Sequence, residues 1–236
     1  MSLAGDGAVA IWHDIAPEGR EEFYAWHGSE HMLERVGIPG FLRGRRYIAR
    51  AADLEYFNLY EARSPEVVTG PDYQERVNNP TPWTASTVRH FRRVARSICR
   101  VAATFGVGQG GLVSTWRYDV PADRSAAHID MLSQKILPDI ADHRLVAGVH
   151  LLVADAEASA IENAEQKARA EANRIPRWII VMEGWGDDDA FSKLCCDALS
   201  DHVLTSTGAV GPAQVGLYQL QATISRSDID ASSRIS

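Results

Sequence analysis

Three histidines, an arginine and a few strand polars are the residues of this chain best suited to chemistry. His13 lies in Ala8-Val-Ala-Ile-Trp-His-Asp-Ile15, a segment of strand character closed by Pro17. Strand side chains alternate between faces, so Val9, Ile11, His13 and Ile15 share one side, and Ala10, Trp12 and Asp14 the other. An imidazole near neutrality suits proton transfer. Two placements fit His13: a cavity wall, or a partly exposed strand position. His27 and His31 are four residues apart, which brings both to one side of a helix. The string His27-Gly-Ser-Glu30-His31 also reads H-x-x-E-H, the inverted zincin pattern. Zinc would need a third protein ligand, and Gly28 and Ser29 weaken the helix there. The reading taken forward has no metal. Tyr47 and Asn58 are polar residues in strand-like runs. Tyrosine in a strand is usually half-buried packing; a buried asparagine needs partners, and a bound ligand is one such partner. Trp26 suits the core or one wall of a pocket for a flat apolar ligand.

The elements that must hold these residues repeat along the chain. Gly111-Leu-Val-Ser-Thr-Trp-Arg-Tyr-Asp-Val120, closed by Pro121, has the layout of the first strand. Trp12 and Trp116 are 104 residues apart, and so are Pro17 and Pro121, Arg20 and Arg124, Leu33 and Leu137, and Gly44 and Gly148. At that spacing His13 falls on Arg117, a partner for a substrate carboxylate or enolate. His27 falls on Met131 and His31 on Lys135, so the histidines belong to the first copy alone. Tyr56–Glu61 matches Trp178–Glu183 at a spacing of 122, which places an inserted segment of 18 residues in the second copy. Glu61 and Glu183 match each other, which reads as a structural role at a strand end. Asn58 matches Ile180.

Between strands, the pattern predicts a helix over Glu18–Val36 with Phe23, Trp26, Leu33 and Val36 inward, and one over Arg124–Leu137 with Ile129, Leu132 and Ile136 inward, ended or kinked by Pro138. Second helices fall at Ser64–Phe91, broken by Pro71, Pro80 and Pro82 into short pieces, and at Ala190–Leu204 as one regular helix. Closing strands are expected at Arg96–Ala102 and Val215–Ile224. The order β-α-β-β-α-β, twice, is the split βαβ, ferredoxin-like unit. The fold class is therefore α+β: two tandem ferredoxin-like modules packed sheet to sheet as an intrachain barrel, helices outside and a cavity between the sheets. The domains are 1–105, a glycine-rich linker at 106–111, and 112–225 with the insertion at 155–173, expected to be helical and on the surface. A polar, loose tail covers 226–236.

An apolar fraction of 45% provides an ordinary globular core. A net charge of -7 without a basic stripe argues against nucleic-acid binding. Arg43, Arg45 and Arg46 read first as a solvated face, second as an anion site. Cys99, Cys195 and Cys196 make a poor disulfide framework. The opening residues lack a signal-peptide pattern, and no apolar run approaches the ~20 residues of a membrane span. The expectation is a cytoplasmic protein with no membrane or nucleic-acid partner, a small-molecule ligand, and an outer surface open to homo-oligomer formation.

The duplication, the run Phe23-Tyr-Ala-Trp-His-Gly-Ser-Glu-His31 and the subsequent Ile38-Pro-Gly-Phe-Leu-Arg-Gly-Arg-Arg-Tyr47 resemble the dimeric α+β barrel superfamily, and within it the EthD-type branch. The resemblance covers nearly the whole chain in architecture and the first half alone in motif. It implies a pocket role for His31. The superfamily hosts cofactor-free monooxygenases, isomerases, dehydratases, haem enzymes and proteins without known activity, so the fold does not choose the reaction. The leading expectation is a small-molecule enzyme of a catabolic or secondary pathway, with no cofactor, acting by proton transfer, isomerisation or cofactor-free oxygenation on an apolar or aromatic substrate. His13 or His31 would move protons; Arg117, Tyr47, Asn58 and Trp26 would bind the substrate. One rival is a haem enzyme resembling chlorite dismutases, drawing on His143, His150 or His202. The other is a non-catalytic binding or assembly protein with a filled barrel and no cavity at His13.

Overall fold

All eight expected strands form in the computed structural model, whose described residues are 3–169 and 171–232. They are β1 (Gly7–Ile15), β2 (Phe41–Ala51), β3 (Tyr56–Ala62), β4 (Phe91–Gly106), β5 (Leu112–Asp119), β6 (Val146–Ala154), β7 (Trp178–Gly184) and β8 (Val210–Ser225). They close into one antiparallel barrel in the order β1-β3-β2-β8-β5-β7-β6-β4. Each half runs β-α-β-β-α-β, but the halves are not two self-contained sheets. The closing strands β4 and β8 run longer than their hydropathy suggested, because each serves both halves. β4 pairs with β1 from Phe91 to Arg100 and with β6 from Cys99 to Gly106. β8 pairs with β5 from Val210 to Gln219 and with β2 from Leu217 to Ser225.

The helices lie outside. The first half carries α1 (Arg20–Trp26), a π turn (His27–His31), α2 (Met32–Gly37), α3 (Pro65–Thr69), α4 (Pro71–Asn78) and α5 (Pro82–Thr87). The second carries α6 (Ser125–Met131), a π turn (Leu132–Ile136), α7 (Leu137–Ala141), α8 (Ala156–Ala160), α9 (Ala164–Arg169), α10 (Asp188–Ala198) and α11 (Asp201–Ser206). The expected single helix over Ala190–Leu204 is broken, since Ser200 caps a new start by accepting from Val203 N–H. The π turns also explain Leu33, which is 42% exposed where helical spacing placed it inward. A turn closed i→i+5 holds one extra residue and rotates the next helical turn, so Met32 is buried instead. In the second half Leu137 is buried in place of Ile136 for the same reason. The polar tail starts as a short helix, α12 (Arg226–Ser232), and Arg226 donates to the carbonyls of Val36 and Gly37. Residues 233–236 lie outside the described residues. No helix among those described is long and apolar enough to cross a membrane.

The barrel register corrects the spacing between the halves. Ala8 opposes Glu61 and Val113 opposes Glu183, so positions correspond at 105 residues, not 104. The π turns agree, His27 answering Leu132. In a strand one residue of slip exchanges the faces. Trp12 therefore packs inside the barrel with Phe57 and Tyr218, while Trp116 faces the helices with Trp178 and Phe191. His13 answers Tyr118, and His31 answers Ile136; Arg117 answers Trp12.

Among the described residues the middle of the barrel is a packed core where a cavity was expected, and only a cleft at one end, lined by Ala95, Arg117, Arg174 and Gln214, is open. Trp12 and Tyr47 both stack on Phe57, at 4.8 and 5.4 Å between ring centres. Beside them sits a buried ionic cluster. Arg45, 0% exposed, reaches Glu61 at 2.9 Å and Glu183 at 2.7 Å. Arg43 also binds Glu61, at 2.6 Å, and His150 lies 3.3 Å from Glu183. Burial pushes the Glu183 carboxyl up, but Arg45 and His150 outweigh it and hold it at about 2. Arg43, Arg45 and Arg46 are all buried, so the solvated-face reading fails: alternation sends the first two into the barrel and Arg46 under the helices. Replacing Arg45 by Met should lower the unfolding free energy by about 3–5 kcal/mol, because two carboxylates lose their shared cation. Urea denaturation at neutral pH measures it.

Candidate active site

The cavity of interest lies on the outer side of the first-half sheet, beneath its helices. Its floor is Val9 and Ile11 of β1, Tyr60 of β3 and Arg96 of β4; α1, α2 and the π turn between them supply Trp26, His31 and Arg35. Val88 and Phe91 close one end, Phe41 and Tyr73 another. The last wall comes from the second half: Asn163, Glu165 and Arg169 of the inserted segment. That segment is helical as expected but not merely a surface feature. It is laced to the outer edge of β4, with Asp155 N–H donating to Ile98 O at 2.8 Å, and Arg174 exchanging bonds with Val94 and Arg96. α9 then lies across α4 and α5 of the first half. The cavity is tight, about 40 Å³, enough for a few waters.

Of the residues singled out from the sequence, the structure brings His31 and Trp26 together here. The His31 ring lies 4.2 Å from that of Trp26, tilted by 33°, and Trp26 is fixed by donating its Nε1–H to Thr84 at 3.0 Å. His31 Nδ1 is buried without a hydrogen-bond partner. Burial, then the neighbouring charge of Arg35 and then His27, hold its pKa well below the ordinary value, so the imidazole is neutral.

His27 stands beside it, ring centres 5.4 Å apart, with both nitrogens engaged. Arg46 donates to Nδ1 at 3.3 Å, and Nε2–H donates to the Tyr60 hydroxyl at 3.2 Å. Glu30, the acid of the zincin-like string, accepts from Thr81 and Thr84 of the α5 cap. Among the described residues no group of three or more His, Cys, Asp or Glu is placed to hold a metal.

His13 and Asn58 face the same side of the sheet but form a sealed pair behind the cavity. Asn58 Nδ2 donates to His13 Nε2 at 2.9 Å, and His13 Nδ1–H donates to the Asp14 carbonyl at 3.3 Å. The ring stacks among Tyr56, Phe91 and Phe23. Its expected place on a cavity wall is not found; burial brings its pKa down to about 3. Tyr47 and Arg117 are on the other face altogether, inside the barrel. Arg117 pairs with Asp53 and lies 5.2 Å over the Trp12 ring. For Arg117 the shifted register is the cause, since it was the 104 spacing that paired it with His13.

Sequence reasoning missed Arg35, Arg96 and Arg169. The first two were within reach: Arg35 lies one helical turn beyond His31, and Arg96 shares a strand face with Val94 and Ile98. Arg169 carried no such signal, because nothing local says which half an insertion covers.

The haem reading is not supported by the residues it needs. His143 and His202 are exposed, and His150 is locked inside the barrel against Glu183 and Thr104. The second-half space between sheet and helices is occupied by Trp116, Trp178, Leu132, Leu137 and Phe191.

A closed eight-stranded barrel with helices outside, and a cavity between sheet and helices, defines the α+β barrel class. No protein-family model and no curated protein matches the chain in sequence. Solved structures do match in fold. An anthrone oxidase-like protein superposes with a TM-score of 0.61 at 13% identity, covering 96% of each chain. A candidate monooxygenase of Fusobacterium nucleatum gives 0.57 at 10% identity, over 95% of this chain and 96% of that one. A candidate chlorite dismutase gives 0.51 at 9% identity, over 97% and 99%. The chain shares the fold of the dimeric α+β barrel proteins.

His13, His27 and His31 are neutral in the folded chain, yet all three take a proton in the unfolded chain below about pH 6.5. Their contribution to stability is complete above that pH and is lost as the pH falls, by about 1.4 kcal/mol per pH unit for each. His13→Phe should remove one such share. Urea titrations between about pH 6 and about pH 4.5 should show a shallower loss of stability than in the parent; an unchanged slope would show that His13 does not titrate this way.

Proposed function

We propose that this chain is a small-molecule enzyme working in the cavity between the first-half sheet and its helices, with His31 as proton acceptor. The observation that carries the reading is the neutral His31 ring, packed against Trp26, whose Nδ1 has no protein partner. The unprotonated imidazole is free to accept a proton, and because burial and Arg35 lower its basicity it would do so once a bound anion beside Arg35 raises its pKa toward neutrality. Trp26, Val88 and Phe91 suit a flat aromatic body, and the nearby guanidinium groups suit the negative charge left after a proton is taken. Proton abstraction begins both isomerisation and cofactor-free oxygenation of phenols and enolisable aromatic ketones. The names of the anthrone oxidase-like and monooxygenase neighbours support that class of chemistry. His13 and Asn58 act behind the site, holding the sheet face on which Phe23 and Phe91 pack. Since the cavity holds only a few waters, α9 must move outward to admit a substrate.

The halves are read as copies of one EthD-like module. Both follow β-α-β-β-α-β, both break the first helix with a π turn, and both place a buried glutamate at the same rung.

A second reading is a non-catalytic binding protein, favoured by the filled barrel and the sealed His13. One experiment separates the two. Phenols and aromatic ketones are incubated with the full chain, and oxygen uptake and product mass are monitored. His31→Ala should lower kcat by about 10²- to 10⁴-fold with the melting temperature kept. Parent-level turnover in that variant would remove His31 from the chemistry; ligand binding without turnover in the parent would leave the binding reading.

A further inference from the structure

Three arginines converge on the cavity from three elements: Arg35 from α2, Arg96 from β4 and Arg169 from α9. Glu165 is the one carboxylate among the described lining residues. This is a local excess of positive charge in a chain of net charge -7. Arg35 is 4% exposed and Arg96 5%, and both guanidinium groups lie about 6 Å from the ring of Tyr73, at 6.0 and 5.9 Å. Arg96 also donates to the Tyr73 hydroxyl at 2.7 Å. The cluster is thus built and stiff, not a set of loose surface side chains.

It is also incompletely satisfied. Arg35 pairs with Glu165 through one Nη, while its Nη1 has no hydrogen-bond partner. Arg169 donates through Nη2 to Asn173 at 3.1 Å, while its Nε has none. Buried donors of this kind are rare, and each calls for an explanation. Burial, and then Arg96, outweigh Glu165 and Glu171 and bring the Arg169 pKa down to about 10. Glu165 shows which group the cluster accepts: a carboxylate meets guanidinium N–H pairs in a geometry that suits both.

We infer that the cavity takes an apolar or aromatic ligand bearing a carboxylate, seated among Arg35, Arg96 and Arg169, and that Glu165 of α9 stands in for that carboxylate in the free protein. The inference rests on the reading of this cavity as the ligand site. A ligand carboxylate displaces Glu165 from Arg35, which frees the one segment that covers the cavity. Entry of the correct ligand and opening of its own door are then one exchange of partners.

Isothermal titration calorimetry of the full chain at neutral pH, with 2-naphthoate and its uncharged analogue 2-naphthol, tests this. Naphthoate should bind tighter by about tenfold or more. Arg96→Met and Arg169→Met should each remove most of that preference, and Arg169 lies on the cover outside the barrel, so its variant remains informative if the other does not fold. Glu165→Gln should tighten naphthoate by about threefold or more and naphthol by less, because the loosened cover helps both probes while only naphthoate gains the guanidinium freed from its internal competitor. Equal affinity for both probes would overturn the carboxylate seat while leaving the cavity as a ligand site. No binding of either would overturn both, and weaker naphthoate binding in Glu165→Gln would overturn the stand-in role.

Discussion

The fold turns on a single guanidinium. Arg45 sits in the middle of the closed barrel and joins Glu61 of the first half to Glu183 of the second. A charge at that depth is tolerated only where its partners are in place, so the register of β2 against β3, and of the first half against the second, admits little slip. Once Arg45 points inward, alternation points Arg46 outward, beneath the π turn, where it meets His27. His27 in turn bonds Tyr60, and the extra residue of the π turn carries His31 round to the cavity. The chain of contacts from the barrel centre to the unpartnered nitrogen is continuous.

Much of this architecture was legible in the sequence. Alternation located the eight strands, and repetition of the layout located the two halves. The register between them was not, because matching tryptophans at 104 residues pointed to a superposition in which Trp12 and Trp116 would share a face. They do not share one: Trp12 fills the barrel and Trp116 the space under α10. The π turns were hidden for a related reason, since hydropathy at a period of 3.6 cannot show one added residue. The outer ends of β4 and β8 were hidden because they pair with the other half, where a local pattern has no view. His31 was favoured through the family resemblance and Trp26 as an aromatic suited to a pocket wall; Arg117 was set beside His13 by the 104 spacing alone, and Tyr47 was chosen as a strand polar without any statement of its face.

The site is asymmetric in a specific way. The first half leaves room beneath its helices, and the second fills the same room with Trp178, Phe191 and their neighbours. The second half contributes instead a segment that reaches across to the first, fastened at both ends to β4 through Asp155 and Arg174. One half thus holds the chamber and the other holds its cover, which explains why the cationic end of the cavity contains residues from both.

The sharing of β4 and β8 bears on how the chain comes to be folded at all. Arg43 pairs with Ser225, 182 residues further along the chain (225 − 43), so β2 cannot complete its hydrogen bonding until β8 has been synthesised. During translation the first half emerges with one side of β2 unpaired and with Arg45 lacking Glu183. Contacts this distant in sequence slow folding, and open strand edges invite association with other nascent chains. The long antiparallel partnership that gives the finished barrel no free edge therefore leaves its first hundred residues with an open strand edge until β8 arrives.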